Sequence, residues 1–299
     1  VRTPVAGGVA VWSHERVLRP RSPRVLTLPA LAAVVGLLAA CSSGGDAGAP
    51  ASAVASAGSS GGSDTSLQDV QDAGELVVAT EGTYRPFSYH EEGSGDLTGF
   101  DVEVARAVGE QLGVEVRFEE TQWDAIFAGL DAGRFDAIAN QVSITAERED
   151  AYTFSEPYTY SRGVVVVRAD DDSISSFEDL AGKTTAQSLT SNWYTLAQES
   201  GAQIEAVEGW AQSVALVEQG RVDATINDEL TWLDYANTDD ASGLKVAAET
   251  EDQSRSAMAF RRGSDALAGA VDEALTALAA DGALAEISAE YFGDDVTQP

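Results

Sequence analysis

Apolar positions along this chain switch between an unbroken run, a near-absence, and two alternating periods, and each change marks a boundary. From Val25 to Ala40 almost every position is apolar or small, with Leu26, Leu28, Leu31, Val34, Val35, Leu37 and Leu38. That run carries Pro29 and falls short of the ~20 residues a membrane-spanning helix needs. Residues 42–66 are Ser, Gly and Ala with almost nothing to bury, the composition of a flexible tether. From Leu76 the pattern becomes α/β. Leu76-Val77-Val78-Ala79 reads as a short buried strand, and Phe100, Val104, Val108 and Leu112 recur at helical spacing, with Asp101 near the start and Gly113 just past the end. Val114, Val116 and Phe118 alternate as a strand. Thr121 is placed to cap a helix carrying Trp123, Ile126, Phe127 and Leu130, which Gly133 stops, and Asp136 to Ala139 gives another strand.

A second series follows the run Gly163 to Val167. It comprises a strand at Thr184 to Gln187, helices at Asn192 to Glu199 and Ala211 to Gln219, a strand at Ala224 to Ile226, and later strands at Leu244 to Ala247 and Ala257 to Phe260. Helical spacing returns at Asp265 to Ala280 and Ala283 to Tyr291. Strands alternating with helices imply largely parallel sheets covered by helices. Two extended segments, Thr159 to Val164 and Thr250 to Met258, are the expected crossings between two lobes, an arrangement suited to hinge closure. The expected organisation is a leader at 1–40, a tether at 41–68, a first lobe at 69–162 and 256–299, and a second lobe at 163–255.

Charge and rare residues narrow the chemistry. Lys and Arg number 18 against 49 acidic residues, a formal net charge of -31. Such a surface repels nucleic-acid phosphates and anionic lipid head groups, so no nucleic-acid partner is expected. Cys41 is the single cysteine, which leaves the folded part without a disulfide framework or a catalytic thiol. With His14 and His90 alone, a histidine-based metal site or Ser-His-Asp triad has almost no raw material, and neither a metal nor a cofactor is expected. The basic stretch carrying Arg16, Arg19, Arg21 and Arg24, the apolar run, and Leu38-Ala39-Ala40-Cys41 resemble a bacterial lipoprotein leader. That resemblance implies cleavage before Cys41 and a lipid anchor on its thiol.

The segments TEGTYRPFSY at 80–89, LTGFDVEVA at 97–105, TQWDAIFAGLDAGRFDAIANQVSITAER at 121–148 and FSEPYT at 154–159 occur in that order. They are followed by DLAGK at 179–183, GRVDATINDEL at 220–230 and DGALAEISAEYFG at 281–293. Together they resemble the polar amino-acid-binding proteins of ABC importers, solute-binding family 3. The resemblance implies a type II periplasmic-binding-protein-like α/β fold, with two lobes joined by two hinge strands and a ligand cleft between them. It also implies an extracytoplasmic monomer that delivers an amino acid to a membrane permease and performs no catalysis. Segments 79–90, 140–150 and 186–194 are most similar to the cystine-binding branch. Where the family commonly has small residues this chain has Asn140 and Gln141, and Thr190-Ser191 stand where a Gly-Thr pair is usual.

A zwitterionic ligand needs a cation for its carboxylate and acceptors for its ammonium, since buried charges are costly unless paired. By resemblance, Arg148 clamps the α-carboxylate with its planar fork. Backbone N–H groups near Ser191 and Asn192 are expected to grip it from the other lobe. Asp228 is the expected ammonium partner, with Ser143 and the Gln141 carbonyl completing the acceptor shell. Glu81 and Tyr84 are expected at the side-chain end, Trp123 as a wall, and Asn140 and Gln141 as extensions of the pocket. From the residues alone, Arg148 reads instead as a solvated helix charge and Trp123 as core, and a helix cap is open to Asp228. L-cystine is the expected ligand, another polar amino acid the alternative, and a dehydratase-like enzyme on the same fold a more distant one. A sensor on this fold would be expected to bring further membrane or signalling segments.

Overall fold

The computed structural model describes residues 63–239 and 241–299; the leader, Cys41 and most of the tether lie outside the described residues. The first series of elements is α1 (Ser66–Ala73), β1 (Glu75–Thr80), β2 (Thr83–Tyr84), β3 (Ser88–His90), β4 (Leu97–Thr98), α2 (Phe100–Leu112), β5 (Glu115–Glu120), α3 (Trp123–Asp131), β6 (Ala137–Ile138), α4 (Ala146–Ala151) and β7 (Tyr152–Phe154). After β8 (Thr159–Ser161) come β9 (Gly163–Arg168), β10 (Thr184–Gln187), α5 (Asn192–Glu199), β11 (Gln203–Ala206), α6 (Trp210–Glu218), β12 (Ala224–Asp228), α7 (Glu229–Thr238) and β13 (Leu244–Glu249). The chain then runs through β14 (Ser254–Ser256), β15 (Ala259–Arg261), α8 (Asp265–Asp281) and α9 (Ala283–Phe292).

Two five-stranded sheets result. The first has the order β5-β1-β6-β15-β7, with β1 parallel to both neighbours and β15 antiparallel to β6 and β7. The second has the order β11-β10-β12-β9-β13, parallel through β10 and antiparallel around β9. The unbroken valine run of β9 has a direct cause. Val164 and Val166 pack with Ala186, Val214 and Val217 on one face, while Val165 and Val167 pack with Ile174, Leu180 and Ala197 on the other. A strand covered on both faces has no polar side, so alternation disappears. Between the lobes, β8 and β14 pair antiparallel, Ser254 opposite Ser161 and Ser256 opposite Thr159, and form the two hinge strands. Beyond the hinge, α8 and α9 return to the first lobe, where Leu267, Val271, Leu275 and Leu284 share a core with Phe100, Val104 and Val108.

Three local features depart from the sequence expectation. Thr121 does not cap α3: its N–H extends the β1–β5 ladder to Thr80 O at 2.8 Å, and Gln122 takes the cap position. Helix α1 begins at Ser66, inside the segment expected to be tether, because Leu67 and Val70 find the first-lobe core. Just before it, Asp64 accepts from Ala266 N and Ser66 Oγ from Leu267 N, at 3.2 Å for the latter. These residues cap α8 from some two hundred positions upstream, where Ser264 makes no side-chain cap of its own. The third is helix α7, which sequence periodicity did not single out. Gly99 shows a requirement of a different kind: its φ is +128°, and a Cβ there would collide with the Phe87 carbonyl. That close approach lets Phe100 N and Asp101 N bond to Pro86 O and Phe87 O at 2.9 and 3.0 Å, which sets Asp101 beneath the cleft.

Candidate functional site

A cavity of about 270 Å³ lies between the lobes, at the carboxyl ends of both sheets' parallel strands. The first lobe contributes Glu81, Tyr84, Gln122, Trp123, Asn140 and Gln141; the second contributes Gln187, Ser188, Ser191, Asn192, Trp193, the stretch Glu208 to Ser213, Ile226 and Asn227. The lobes are closed on one another. Tyr84 donates its hydroxyl to Asn227 Oδ1 at 2.9 Å and accepts from Thr231 Oγ1 at 3.0 Å. Asp124 Oδ1 accepts from Thr190 N at 3.0 Å and from its hydroxyl at 2.9 Å, and Arg85 pairs with Asp234 at 3.5 Å.

Arg148 stands in the first turn of α4, whose cap is Thr145, accepting from Arg148 N at 3.2 Å. Its side chain is buried, 8% exposed, and donates to Ser143 O at 2.9 Å and across the cleft to Thr190 O at 3.1 Å. The guanidinium carbon sits 5.3 Å from the Trp123 ring centroid and 5.2 Å from that of Phe127. Among the described residues no carboxylate forms an ion pair with it, and burial pushes it down to about 10. Its contacts are thus carbonyl oxygens and aromatic faces.

Asp228 ends β12 and caps α7, as the capping reading expected. Oδ1 accepts from Leu230 N at 3.0 Å and from Ser161 Oγ at 2.6 Å; Oδ2 accepts from Gln141 Nε2 at 3.3 Å. Burial pushes it up to about 6. Behind it Asp101, pushed up to about 7 by burial, accepts from Tyr158 at 2.9 Å and from Gln141 N. Those contacts hold Gln141 in the left-handed region, at φ +50°. Glu81 is likewise pushed up to about 7 by burial, against the opposing bond from Asn140 Nδ2 at 2.7 Å. Asn140 Oδ1 in turn accepts from Glu81 N at 2.8 Å and Thr80 Oγ1 at 3.0 Å, so Asn140 fixes Glu81 as much as it lines the cavity.

Seven of the ten expected ligand-binding residues line the cavity: Glu81, Tyr84, Trp123, Asn140, Gln141, Ser191 and Asn192. Arg148 and Asp228 lie one contact behind the wall, Arg148 against Trp123 and Thr190, Asp228 against Gln141. Ser143 turns toward the hinge, where its Oγ accepts from Ser254 at 3.2 Å, and its carbonyl serves Arg148. The Ser191 N–H closes a turn to Ser188 O at 3.1 Å and its hydroxyl caps α5, leaving Asn192, first residue of α5, with an N–H that has no intrahelical acceptor. Sequence reasoning missed Gln187, Trp193 and the Glu208–Ser213 stretch. Glu208-Gly209-Trp210 joins β11 to α6, a strand-to-helix turn that could have been flagged as a binding position. Three cavity-lining residues carry a buried polar atom without a partner: Trp123 Nε1, Gln141 Oε1 and Gln187 Nε2. Among the described residues no cluster of His, Cys, Asp and Glu could hold a metal ion, and no helix is long and apolar enough to cross a membrane.

Residues 76–294 match the model of the bacterial extracellular solute-binding proteins, family 3. The chain is 53% identical over 229 residues, 77% of its length and 89% of the relative's, to a probable amino-acid ABC transporter-binding protein of Haemophilus influenzae. It is 48% identical over 77% of its length to the L-cystine-binding protein TcyA of Bacillus subtilis, covering 85% of that protein. Among solved structures, it matches the L-cystine solute receptor of Neisseria gonorrhoeae in its unliganded open conformation at 44% identity, with a TM-score of 0.54 over 78% of this chain and 99% of that one. An ancestral arginine-binding protein bound to arginine is 32% identical yet superposes with a TM-score of 0.69, over 74% and 99% of the two chains. A better fit to the less similar, liganded protein is what lobes already closed would give.

Proposed function

The chain belongs to the bacterial extracellular solute-binding proteins of family 3, and from that premise we propose that the amino acid it captures is L-cystine. At the coarser level, the protein is the extracytoplasmic amino-acid-binding component of an ABC importer, a binding protein and not an enzyme. The observation that supports an amino acid as the ligand is the presence of opposite, separately buried charges, Arg148 and Asp228, on opposite lobes of one cleft. Neither is neutralised by the other, and an α-amino acid offers the carboxylate and ammonium that each lacks. The cystine assignment draws support from the likeness to TcyA and to the gonococcal receptor, and from Asn140 and Gln141, which keep the wall polar. One observation favours arginine as a second reading: Glu81 brings a carboxylate to the cavity, where a cationic side chain would find its partner.

Calorimetric titration of the full chain against a panel of amino acids, without reductant, tests the assignment. At about one hundred times its dissociation constant, L-cystine should stabilise the protein by roughly 2.7 kcal/mol. Arg148→Met and Asp228→Asn should each abolish that gain. Arginine binding with cystine silent would replace the ligand and keep the transport role. The lipid anchor on Cys41 belongs to the same proposal, resting on the leader pattern at 16–41. Metabolic labelling with a fatty acid, lost in Cys41→Ala together with membrane association, is the expected result.

A further inference from the structure

The clamp formed by Arg148 and Asp228 serves one amino-acid head, and the cavity holds polar groups it does not use. Gln187, at the end of β10, is 3% exposed and its Nε2 has no partner. Its carbonyl accepts from Val207 N at 3.1 Å, which ties it to the turn leading into α6. The residue before that nine-residue helix is Gly209, which has no side chain to cap it. Trp210, Ala211 and Gln212 all line the cavity, and as the first three helical residues their N–H groups have no intrahelical acceptors. Across the cleft lies Glu81, whose Oε1 would stand 3.9 Å from a Cβ placed on Gly209. Its partners are Asn140 Nδ2 and the Trp123 backbone, and among the described residues no cation pairs with it.

Hydrogen-bond donors that suit a carboxylate and an acidic group that suits an ammonium therefore meet at one place on the cavity wall. We propose that Gln187, the uncapped start of α6 and the facing Glu81 form a second subsite that takes the distal amino-acid head of a two-headed ligand. Gln187 is thereby a specificity-determining residue. The inference rests on the cleft being an amino-acid site and narrows its ligands to those with two α-amino-acid heads. An arginine tail satisfies Glu81 and offers no acceptor to Gln187 Nε2 or the α6 N–H groups. An aliphatic tail satisfies neither, and leaving buried polar groups unpaired is the strongest ground for rejecting a ligand. A second carboxylate and ammonium meet both demands, and a free N-terminal helix turn adds to the attraction for the carboxylate.

The test is calorimetry on the full chain and on Gln187→Leu, with two probes: L-cystine and S-methylthio-L-cysteine, which keeps one head and the disulfide and lacks the second head. The unmodified chain should prefer L-cystine by about a hundredfold or more. Gln187→Leu should weaken L-cystine about ten- to a hundredfold and leave S-methylthio-L-cysteine within about threefold. Equal losses on both probes, or none on L-cystine, would overturn the subsite. Glu81→Gln, which keeps the shape of the side chain, should also lose L-cystine selectively, so the question stays open to refutation if Gln187→Leu fails to fold. Binding of another two-headed amino acid such as L-cystathionine, with L-cystine silent, would remove the cystine assignment and leave the subsite standing. L-cystine binding with neither variant telling the probes apart would do the reverse, and capture of single-headed amino acids alone would end both.

Discussion

Replacing Arg148 with methionine should separate the two things this side chain does. In the closed protein its guanidinium is held at about 10 against an ordinary 12.5 because burial strips its water. At about 1.4 kcal/mol per pKa unit, that opposes folding by roughly 3 kcal/mol at neutral pH. Working in the other direction are the bonds to Ser143 O and Thr190 O, each worth about 1–2 kcal/mol net. A methionine of similar length keeps apolar contact with Trp123 and Phe127, so stability should stay within about 2 kcal/mol of the parent. Binding has no such compensation. Removing one partner of a desolvated charge pair costs about 2–5 kcal/mol, a loss of roughly thirty- to several thousandfold. Urea unfolding and titration of the same preparation measure both quantities. A fall in stability above about 3 kcal/mol with less than a tenfold loss of affinity would refute the receptor role and make Arg148 a packing residue.

Four other outcomes are expected. Asp228 and Glu81 are raised to about 6 and about 7, so the protein holds protons there that a ligand ammonium must displace; affinity should rise from pH 5 to about 8 and level off above. Titration at pH 6 in buffers of different ionisation enthalpy should show release of at least about half a proton, falling toward zero by pH 8, and no buffer dependence would contradict the charge assignment. The same shifts, with Asp101, mean that the folded form binds more protons than the unfolded one between about pH 4 and 7, so the contribution of these groups to stability declines as pH rises through that window. Tyr84→Phe removes both cross-lobe bonds of its hydroxyl and should speed ligand release about ten- to thirtyfold, read by stopped-flow dissociation. Gly99→Ala should destabilise by about 2–4 kcal/mol in urea, while Gly269→Ala, where a Cβ meets nothing within 4 Å, should be neutral or slightly stabilising.

Elements with a strong period were legible from sequence because one face of each is buried. Helix α2 begins at Phe100 and ends before Gly113, which is left-handed at φ +73°, and α5 runs Asn192 to Glu199 as expected. Elements whose stability comes from elsewhere were not. The short strands β2, β3 and β4 form a small antiparallel sheet set by backbone pairing with little apolar patterning. Helix α1 exists because its Leu67 and Val70 reach a core assembled by α8. The site divides the same way. Arg148, Asp228 and Glu81 are legible through the family resemblance, since from the residues alone a solvated charge or a helix cap explains Arg148 and Asp228. Gln187 has ordinary polarity, and only its burial beside the cavity reveals an unmet bond.

On the proposed reading, the division of the charges between the lobes would make capture and closure one event. Arg148, Glu81, Asn140 and Gln141 belong to the lobe built on β1, whereas Asp228, Gln187 and Asn192 belong to the lobe built on β9. On that reading, a ligand resting on the first lobe would have its carboxylate answered by Arg148, and Asp228 would reach its ammonium only when the lobes meet. The differential affinity for the closed form is thus the interaction with the second lobe, and differential affinity is the only quantity by which a ligand can shift a conformational balance. Reversing a hundredfold preference to its opposite takes about 5.5 kcal/mol. A desolvated ion pair with Asp228, worth about 2–5 kcal/mol, nearly supplies this alone, and a few hydrogen bonds from Gln187 and the starts of α5 and α6 complete it. Tyr84, Asp124 and Arg85 bond directly from one lobe to the other, so they lower the energy of the closed form. The buried charges of Arg148 and Asp228, hydrogen-bonded but without an ion-pair partner, oppose it. A binding protein must keep these opposed: too strong a latch would close the empty cleft, and too great a charge penalty would spend the ligand's binding energy on closure.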